Sequence, residues 1–158
     1  MRPANETRAT RLRESERGIV EAIPFKADWS RVRLYHSGCG GTAGWLRRLV
    51  LQASRSRAIA LGNHVFLPDH CEQDLGVLAH ELTHCAQYQT WGPVAYFTRG
   101  AVTQLRALLH RKLRIGSNPY QYHVTPGKPL GAYGMEQQAQ IVEDRYRGAF
   151  EDHAIPSA

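Results

Sequence analysis

Residues 74–88 read DLGVLAHELTHCAQY. Apolar side chains in this stretch recur at intervals of three and four residues, which predicts a helix with one buried face. These side chains are Leu75, Leu78, Leu82 and Cys85. His80 and His84 stand four positions apart in the same stretch, so a helix would place both imidazoles on one side. The stretch therefore predicts a helix that directs two histidines toward one point.

Glu81 completes the pattern H-E-x-x-H in this predicted helix. Two histidines with this spacing can hold a tetrahedral Zn²⁺, and a glutamate beside the first ligand can reach water at the metal. Zinc lowers the pKa of such water, and a carboxylate can take its proton. The pattern predicts His80 and His84 as zinc ligands and Glu81 as general base. Ordinary core or surface histidines are the alternative interpretation of so short a pattern.

A third protein ligand has to come from elsewhere in the chain, because catalytic zinc keeps three protein ligands and one open position. Glu136 is the best candidate, since apolar residues repeat at helical spacing around it in residues 133–146. A solvated carboxylate at the start of a helix is the other interpretation of Glu136. His110 and His123 are the alternative ligands. Asp144, on the same predicted helix, could accept a hydrogen bond from a ligand imidazole.

Residues 32–87 resemble the metallopeptidase domain called the eCIS core, which occurs with extracellular contractile injection systems and in other bacterial contexts. The pieces that carry the resemblance are VRLYH, AIALGNHVFLP, LAHELTHCAQ and the later EQQAQIVED. The resemblance implies a gluzincin fold in which His80, His84 and Glu136 hold zinc. It also implies that Glu81 is the base, and it leaves the substrate open.

A short sheet is predicted around the helix. Residues 31–36 alternate polar and apolar side chains, which is typical of a strand. Gly62 and Asn63 separate two apolar runs, as in a β-hairpin with a tight turn. An extended peptide could add to an exposed edge of this hairpin, either at residues 58–60 or at residues 64–66.

The predicted motif helix has sequence signals at both ends. Asp69 and Glu72 have the spacing of a capping box, which would start the helix one or two residues after Asp69. Gly92, which is followed by a proline, would end it. Apolar side chains at intervals of three and four predict further helices at residues 45–54 and 95–115.

The residues before Glu136 predict a loop. The stretch from 116 to 135 is rich in glycine, proline and tyrosine, and a loop of that length is often functional. Its polar aromatic side chains would line a cleft near Glu136. They are Tyr120, Tyr122, His123 and Tyr133. We rank His123 and Tyr133 first as donors to the oxyanion that forms when water attacks a carbonyl.

The length of 158 residues suits one domain with a single core. We expect a flexible basic arm at residues 1–23, a metallopeptidase-like domain at residues 24–152 and a short tail at residues 153–158. The expected fold is α+β and gluzincin-like, with a short mixed sheet beside the motif helix and a second helix that carries the third ligand. No apolar run reaches the roughly 18 residues that span a bilayer, so we expect neither a membrane segment nor a signal peptide.

The cysteine and charge content of the chain limits its expected location and binding partners. Three cysteines without C-x-x-C spacing favour a reducing compartment, so we expect the cytoplasm, with export by a machine that reads no signal peptide as an option. Lys and Arg number 20 against 14 Asp and Glu. Nucleic-acid binding is a weak prediction, because no recognition motif or stacking pattern accompanies the basic residues. An acidic substrate or partner is the functional alternative to a solvated basic face.

Together these observations predict a zinc metalloendopeptidase that binds one Zn²⁺ per chain and hydrolyses a peptide or protein substrate. Glu81 would act first as general base and then as proton donor to the leaving amine. The alternative is a zinc-stabilised binding or assembly module associated with a bacterial injection or toxin system. Glu81 favours catalysis, because a structural zinc needs no base beside its ligand.

Overall fold

The computed structural model describes residues 8–148, whose main elements are four α-helices and three strands, with three single-turn 3-10 helices between them. In chain order these are α1 (Glu14–Glu21), β1 (Arg33–Tyr35), α2 (Gly41–Ala53), β2 (Ile59–Leu61), β3 (His64–Phe66), α3 (Leu75–Leu113) and α4 (Met135–Tyr146). The predicted α+β class is confirmed. Among these helices, none has both the length and the apolar character needed to cross a bilayer.

The three strands form a mixed sheet in the order β1-β3-β2. β1 runs parallel to β3, with Leu34 opposite Val65, and β2 runs antiparallel to β3, with Ala60 opposite the same valine. Gly62 and Asn63 form the predicted turn between β2 and β3, and Gly62 adopts a φ of +65°, which glycine tolerates without a Cβ clash. β3 is therefore the central strand, and β2 lies at an edge.

The start of α3 differs from the prediction. Asp74 is the N-cap, and its carboxylate accepts hydrogen bonds from the backbone N–H groups two and three residues later, at 3.0 and 3.1 Å. The predicted capping box at Asp69 and Glu72 is wrong, because the side chains of both residues instead bind the guanidinium of Arg47. The helix consequently begins one turn later than the sequence suggested.

Gly92 divides α3 into two helical segments. Its φ of 79° and ψ of 166° are not helical, and Pro93 follows directly. A positive φ combined with an extended ψ is essentially restricted to glycine. We call residues 75–91 the motif segment and residues 93–113 the cover segment. The sequence predicted this division, with the motif helix ending at Gly92 and a further helix after it.

The core lies between the sheet, the motif segment and α4. Leu78 and Leu82 of the motif segment are buried, as are Val65 of β3 and Ile141 of α4. The apolar face that the sequence predicted for the motif helix thus packs against both the sheet and α4, and its opposite side remains available for the histidines.

Part of the predicted N-terminal arm belongs to this core. Thr10 pairs with Leu34 through two backbone hydrogen bonds of 2.9 and 2.8 Å, and Ile19 of α1 is fully buried. Residues 8–23 are therefore packed rather than a flexible arm, because apolar side chains between the arginines cover the sheet and the motif segment. The rest of the arm and the tail predicted at residues 153–158 lie outside the described residues.

Candidate metal centre

Three predicted ligands converge at one point. His80 and His84 stand on the motif segment, and Glu136 lies in the first turn of α4. Oε2 of Glu136 lies 3.5 Å from Nε2 of His80 and 3.4 Å from Nε2 of His84. Ligand atoms from all three side chains lie within 4.8 Å of one another, close enough to share one metal ion.

A buried pair of glutamines fixes the start of α4 against the motif segment. Nε2 of Gln87 donates to the carbonyl of Met135 at 3.1 Å and to Oε1 of Gln138 at 3.0 Å. Nε2 of Gln138 in turn donates to the carbonyl of Tyr133 at 2.7 Å. Because both amides are buried, losing one partner would leave an unpaired polar group at a cost of about 1–3 kcal/mol. This network holds Glu136 opposite the two histidines.

The outer ring nitrogens of both histidines have partners. Nδ1 of His80 lies 3.1 Å from Oε2 of Glu143, and Nδ1 of His84 lies 2.8 Å from Oε1 of Gln87. Both partner atoms accept hydrogen bonds, so each Nδ1 carries a proton, and each Nε2 faces Glu136 at the point where a cation could be bound. The glutamine thus orients His84 while its own amide nitrogen secures α4.

On α4 it is Glu143, and not the predicted Asp144, that contacts a ligand imidazole. Asp144 does not contact an imidazole, and its carboxylate instead accepts hydrogen bonds from the hydroxyl of Tyr122 and, at 2.9 Å, from Nε2 of Gln140. Glu143 follows Glu136 by seven residues, which is close to two helical turns, so both carboxylates lie on the same face of α4. This seven-residue spacing is the sequence signal that could have identified Glu143.

The electrostatics of the site favour a positive charge between the ligands. Burial lowers the pKa of His80, but hydrogen bonds to Glu136 and Glu143 outweigh it and raise the pKa to about 10. Burial also raises the pKa of Glu136, but its hydrogen bonds with His80 and His84 hold that pKa far below the ordinary value. A metal cation would supply the same positive charge while the imidazoles remain neutral, as ligation requires.

Glu81 is buried beside the three ligands. Burial raises the pKa of its carboxyl group, although the neighbouring His84 and His80 and the backbone N–H of Ala60 act in the opposite direction. Glu81 lines a cavity of about 310 Å³ together with all three ligands. The cavity lies between β2, α4 and the two segments of α3, so water or a small part of a substrate can reach the carboxylate.

The outer edge of β2 also borders this cavity. Ala60 does not share hydrogen bonds with the residue opposite it in β3, because the pair beside a two-residue turn is hydrogen-bonded and the next pair is not. Its carbonyl instead accepts a hydrogen bond from the hydroxyl of Tyr96 in the cover segment, at 3.0 Å. Of the two predicted peptide-binding edges, residues 58–60 border the cavity. Residues 64–66 form the central strand, so that alternative is wrong.

Residues 22–92 match the eCIS core domain. The match spans the sheet and the motif segment, and it includes His80, Glu81 and His84. It confirms the resemblance to the eCIS core that the sequence pieces suggested. Glu136 lies beyond it. No curated protein and no solved structure shows a significant match to the chain.

The loop residues that the sequence predicted to line the cleft do not all reach the cavity. His123 is exposed between two half-buried neighbours, as expected for an outward-facing side chain in an extended segment. Tyr133 is buried, and its hydroxyl accepts a hydrogen bond from the backbone N–H of Thr125 at 2.9 Å. Neither side chain lines the cavity. His110, an alternative ligand, instead contacts the carbonyl of Gly116 through Nδ1, at 2.9 Å.

Of the four predicted loop residues, Tyr120 lines the cavity at the candidate metal centre. Its hydroxyl accepts a hydrogen bond from Nε2 of Gln104 at 3.2 Å, which leaves the hydroxyl proton available to another acceptor. Burial and the nearby Glu136 raise the pKa of this tyrosine, so it remains a neutral donor. The sequence placed Tyr120 among the cleft residues but could not rank it, because all four candidates lie in an irregular loop.

Proposed function

We propose that this protein is a zinc-dependent metalloendopeptidase. The observation that carries the proposal is the convergence of His80, His84 and Glu136 next to a buried Glu81. Two histidines and a glutamate are one of the ligand sets of catalytic zinc, and the oriented imidazoles suit it. A bound Zn²⁺ would polarise the scissile carbonyl and make water a stronger nucleophile at neutral pH.

Glu81 would move the proton. Its carboxylate would accept a proton from the attacking water and then deliver it to the nitrogen of the leaving amine. Burial raises the pKa of this carboxyl group, so it accepts a proton from water more readily than an exposed glutamate does. A structural metal site would have no use for this carboxylate.

The peptide would lie in an extended conformation along the outer edge of β2. The Ala60 carbonyl faces the cavity there, and a peptide N–H could replace the hydrogen bond that the Tyr96 hydroxyl now donates to it. Tyr120 would donate its hydroxyl proton to the oxyanion, in the role first assigned to His123 and Tyr133.

The eCIS core match supports an association with a contractile injection apparatus, and the cytoplasm is the expected location before any export.

A second candidate function follows from the same match. In that case the chain is a non-catalytic assembly module, and the metal stabilises it. The hydrogen bond from Tyr96 to the edge of β2 favours this candidate, because it occupies a backbone group that a substrate would need.

Zinc content and cleavage together test the proposal. Elemental analysis should find one zinc in the wild type and in Glu81→Gln, and should find little in His80→Ala and Glu136→Ala. Mass spectrometry after incubation with a peptide library should then show cleavage by the wild type, reduced roughly 10²–10⁴-fold in Glu81→Gln. Zinc without cleavage in the wild type would favour the assembly module. No zinc would overturn both functions.

Tyr120→Phe tests the oxyanion donor separately. We expect kcat to fall by roughly 10²–10³-fold while zinc content and KM remain close to those of the wild type. Tyr122→Phe is the matched control, because its hydroxyl contacts Asp144 rather than the cavity. Equal effects of the two substitutions would refute the assignment of Tyr120.

A further inference from the structure

A second and larger cavity adjoins the metal centre. Its volume is about 760 Å³, and it lies between the end of α2, the cover segment and the loop before α4. Arg57, Gln104 and Tyr120 line both cavities, so the two cavities adjoin at these side chains. We call this second cavity the basic groove, because its other charged or titratable residues are Arg55, His110 and Arg111.

The arginines of the basic groove lack acidic partners. Residues 29–68 and residues 82–135 contain no aspartate or glutamate, and these segments supply every side chain that lines the groove. Within residues 8–148, no carboxylate lies within ion-pair distance of Arg55, Arg57 or Arg111. Three guanidinium groups are therefore gathered in one concave surface without internal neutralisation.

The turn that presents two of these arginines is held in place. Arg55 and Ser56 both have a φ near +57°, at 57° and 56°. The N–H of Ser56 donates to the carbonyl of Leu51 at 2.7 Å, and Nε of Arg57 donates to the carbonyl of Ser54 at 3.3 Å. Because the backbone is anchored, the arginines on either side of Ser56 project from a defined position, and less entropy is lost when they bind a ligand.

The charge pattern along the adjoining cavities has two parts. The carboxylates of Glu81 and Glu136 lie at the metal centre, Arg57 lies where the two cavities adjoin, and Arg55 and Arg111 line only the basic groove. A ligand that spans both parts would need a peptide bond at the centre and negative charge on one side of it. Arginine binds carboxylates through paired, charge-assisted hydrogen bonds, so aspartate and glutamate side chains have the required chemistry.

We propose that the basic groove binds an acidic stretch of the peptide substrate and thereby selects substrates with aspartate or glutamate on one side of the scissile bond. Arg55, Arg57 and Arg111 are the specificity-determining residues. The inference rests on the proposed function for the position of the scissile bond, but binding to the groove requires no turnover. The position beside the metal centre favours a peptide over a nucleic acid.

The test measures binding to the zinc-loaded, full-length Glu81→Gln protein by fluorescence anisotropy. The probes are a labelled peptide with four consecutive glutamates beside an apolar segment and the same peptide with glutamines. We expect the glutamate peptide to bind about tenfold more tightly at low salt, and we expect this preference to shrink as salt is raised. Added Arg111→Gln and Arg57→Gln substitutions should each reduce the preference several-fold.

Arg106→Gln is the matched control, because Arg106 stands on the same cover segment, lines neither cavity and changes the net charge equally. Equal binding of the two peptides would overturn the proposal, as would an equal loss in Arg106→Gln and Arg111→Gln. If a single-stranded oligonucleotide binds more tightly than the peptide and this binding is lost in Arg111→Gln, the ligand of the groove is a nucleic acid and the proposal is overturned.

The wild type separates this proposal from the proposed function. If the wild type binds the glutamate peptide selectively but cleaves no peptide, the binding role of the groove is upheld and the peptidase function is refuted. Cleavage of glutamate and glutamine peptides with equal kcat/KM and equal affinity would uphold the peptidase and refute the groove.

Discussion

The two histidines of the metal centre differ in the group that holds the outer ring nitrogen. Nδ1 of His80 faces a carboxylate, Glu143, whereas Nδ1 of His84 faces the amide of Gln87. A carboxylate both orients an imidazole and raises its basicity, whereas an amide mainly orients it. Arg147 binds Glu143 in turn, at 2.9 and 3.0 Å, so the carboxylate stays charged and in place. We therefore expect His80 to be the stronger ligand.

Replacing Glu143 with glutamine should lower zinc affinity about 10- to 100-fold, because the substituted amide orients His80 without increasing its basicity. Asp144→Asn is the matched control, since Asp144 is adjacent but contacts no imidazole. Competition with a chelator of known affinity measures both variants. Equal affinities for zinc in Glu143→Gln and the wild type would contradict this role.

Regular spacing decided which site residues could be predicted from the sequence. His80, Glu81 and His84 follow from one helical motif, and Glu136 follows from a second helical pattern. Glu143 could have been found by the same reasoning, because it stands two turns after Glu136. Tyr120 could not, since the direction of a side chain in an irregular loop depends on the tertiary path of the loop.

At the scale of elements, the change of direction in α3 forms the cavity. The motif segment supplies the ligands, and after Gly92 the cover segment returns along the cavity with Tyr96, Phe97 and Gln104 in its lining. A straight helix would leave the metal centre open on this side. The sequence predicted this break from the Gly-Pro pair, but it misplaced the helix start, because it could not show that Arg47 binds the predicted capping residues.

Gly92→Ala should destabilise the protein by about 1–3 kcal/mol, because alanine tolerates a φ of 79° with a ψ of 166° poorly. Gly100→Ala is the control in the same helix. A Cβ at Gly100 would meet no atom within 4 Å, and this change should stabilise the helix by about 0.4–1 kcal/mol. Urea unfolding of the zinc-loaded proteins measures both. Unchanged or increased stability in Gly92→Ala would show that Gly92 is not under this constraint.

At the scale of the whole molecule, the candidate metal ligands come from two parts of the fold. The histidines belong to the part that matches the eCIS core, and Glu136 belongs to α4, which packs on the motif segment beyond that match. The charge also differs between the site and the rest of the molecule. The chain has a net charge of +6, whereas the side chains of the candidate metal centre include two glutamates.

Zinc should therefore stabilise the entire fold. At a free concentration 100 times the dissociation constant, the gain is about 2.7 kcal/mol, and a chelator should remove it. Calorimetry of the wild type with and without chelator measures this difference as a shift in Tm. Glu81→Gln should keep the shift and Glu136→Ala should lose it. A chelator-insensitive Tm in the wild type would show that the ligands do not hold zinc.

The loop of residues 114–129 contains no helix or strand, and it forms most of the covalent link between α3 and α4. If the chain were expressed as two polypeptides divided in this loop, one would carry both imidazoles and the other the carboxylate. Neither fragment alone could complete the ligand set. Zinc would strengthen their reassociation, because the ligand set is complete only when the fragments meet, so the divided protein would bring together two proteins fused to its fragments more tightly when zinc is present.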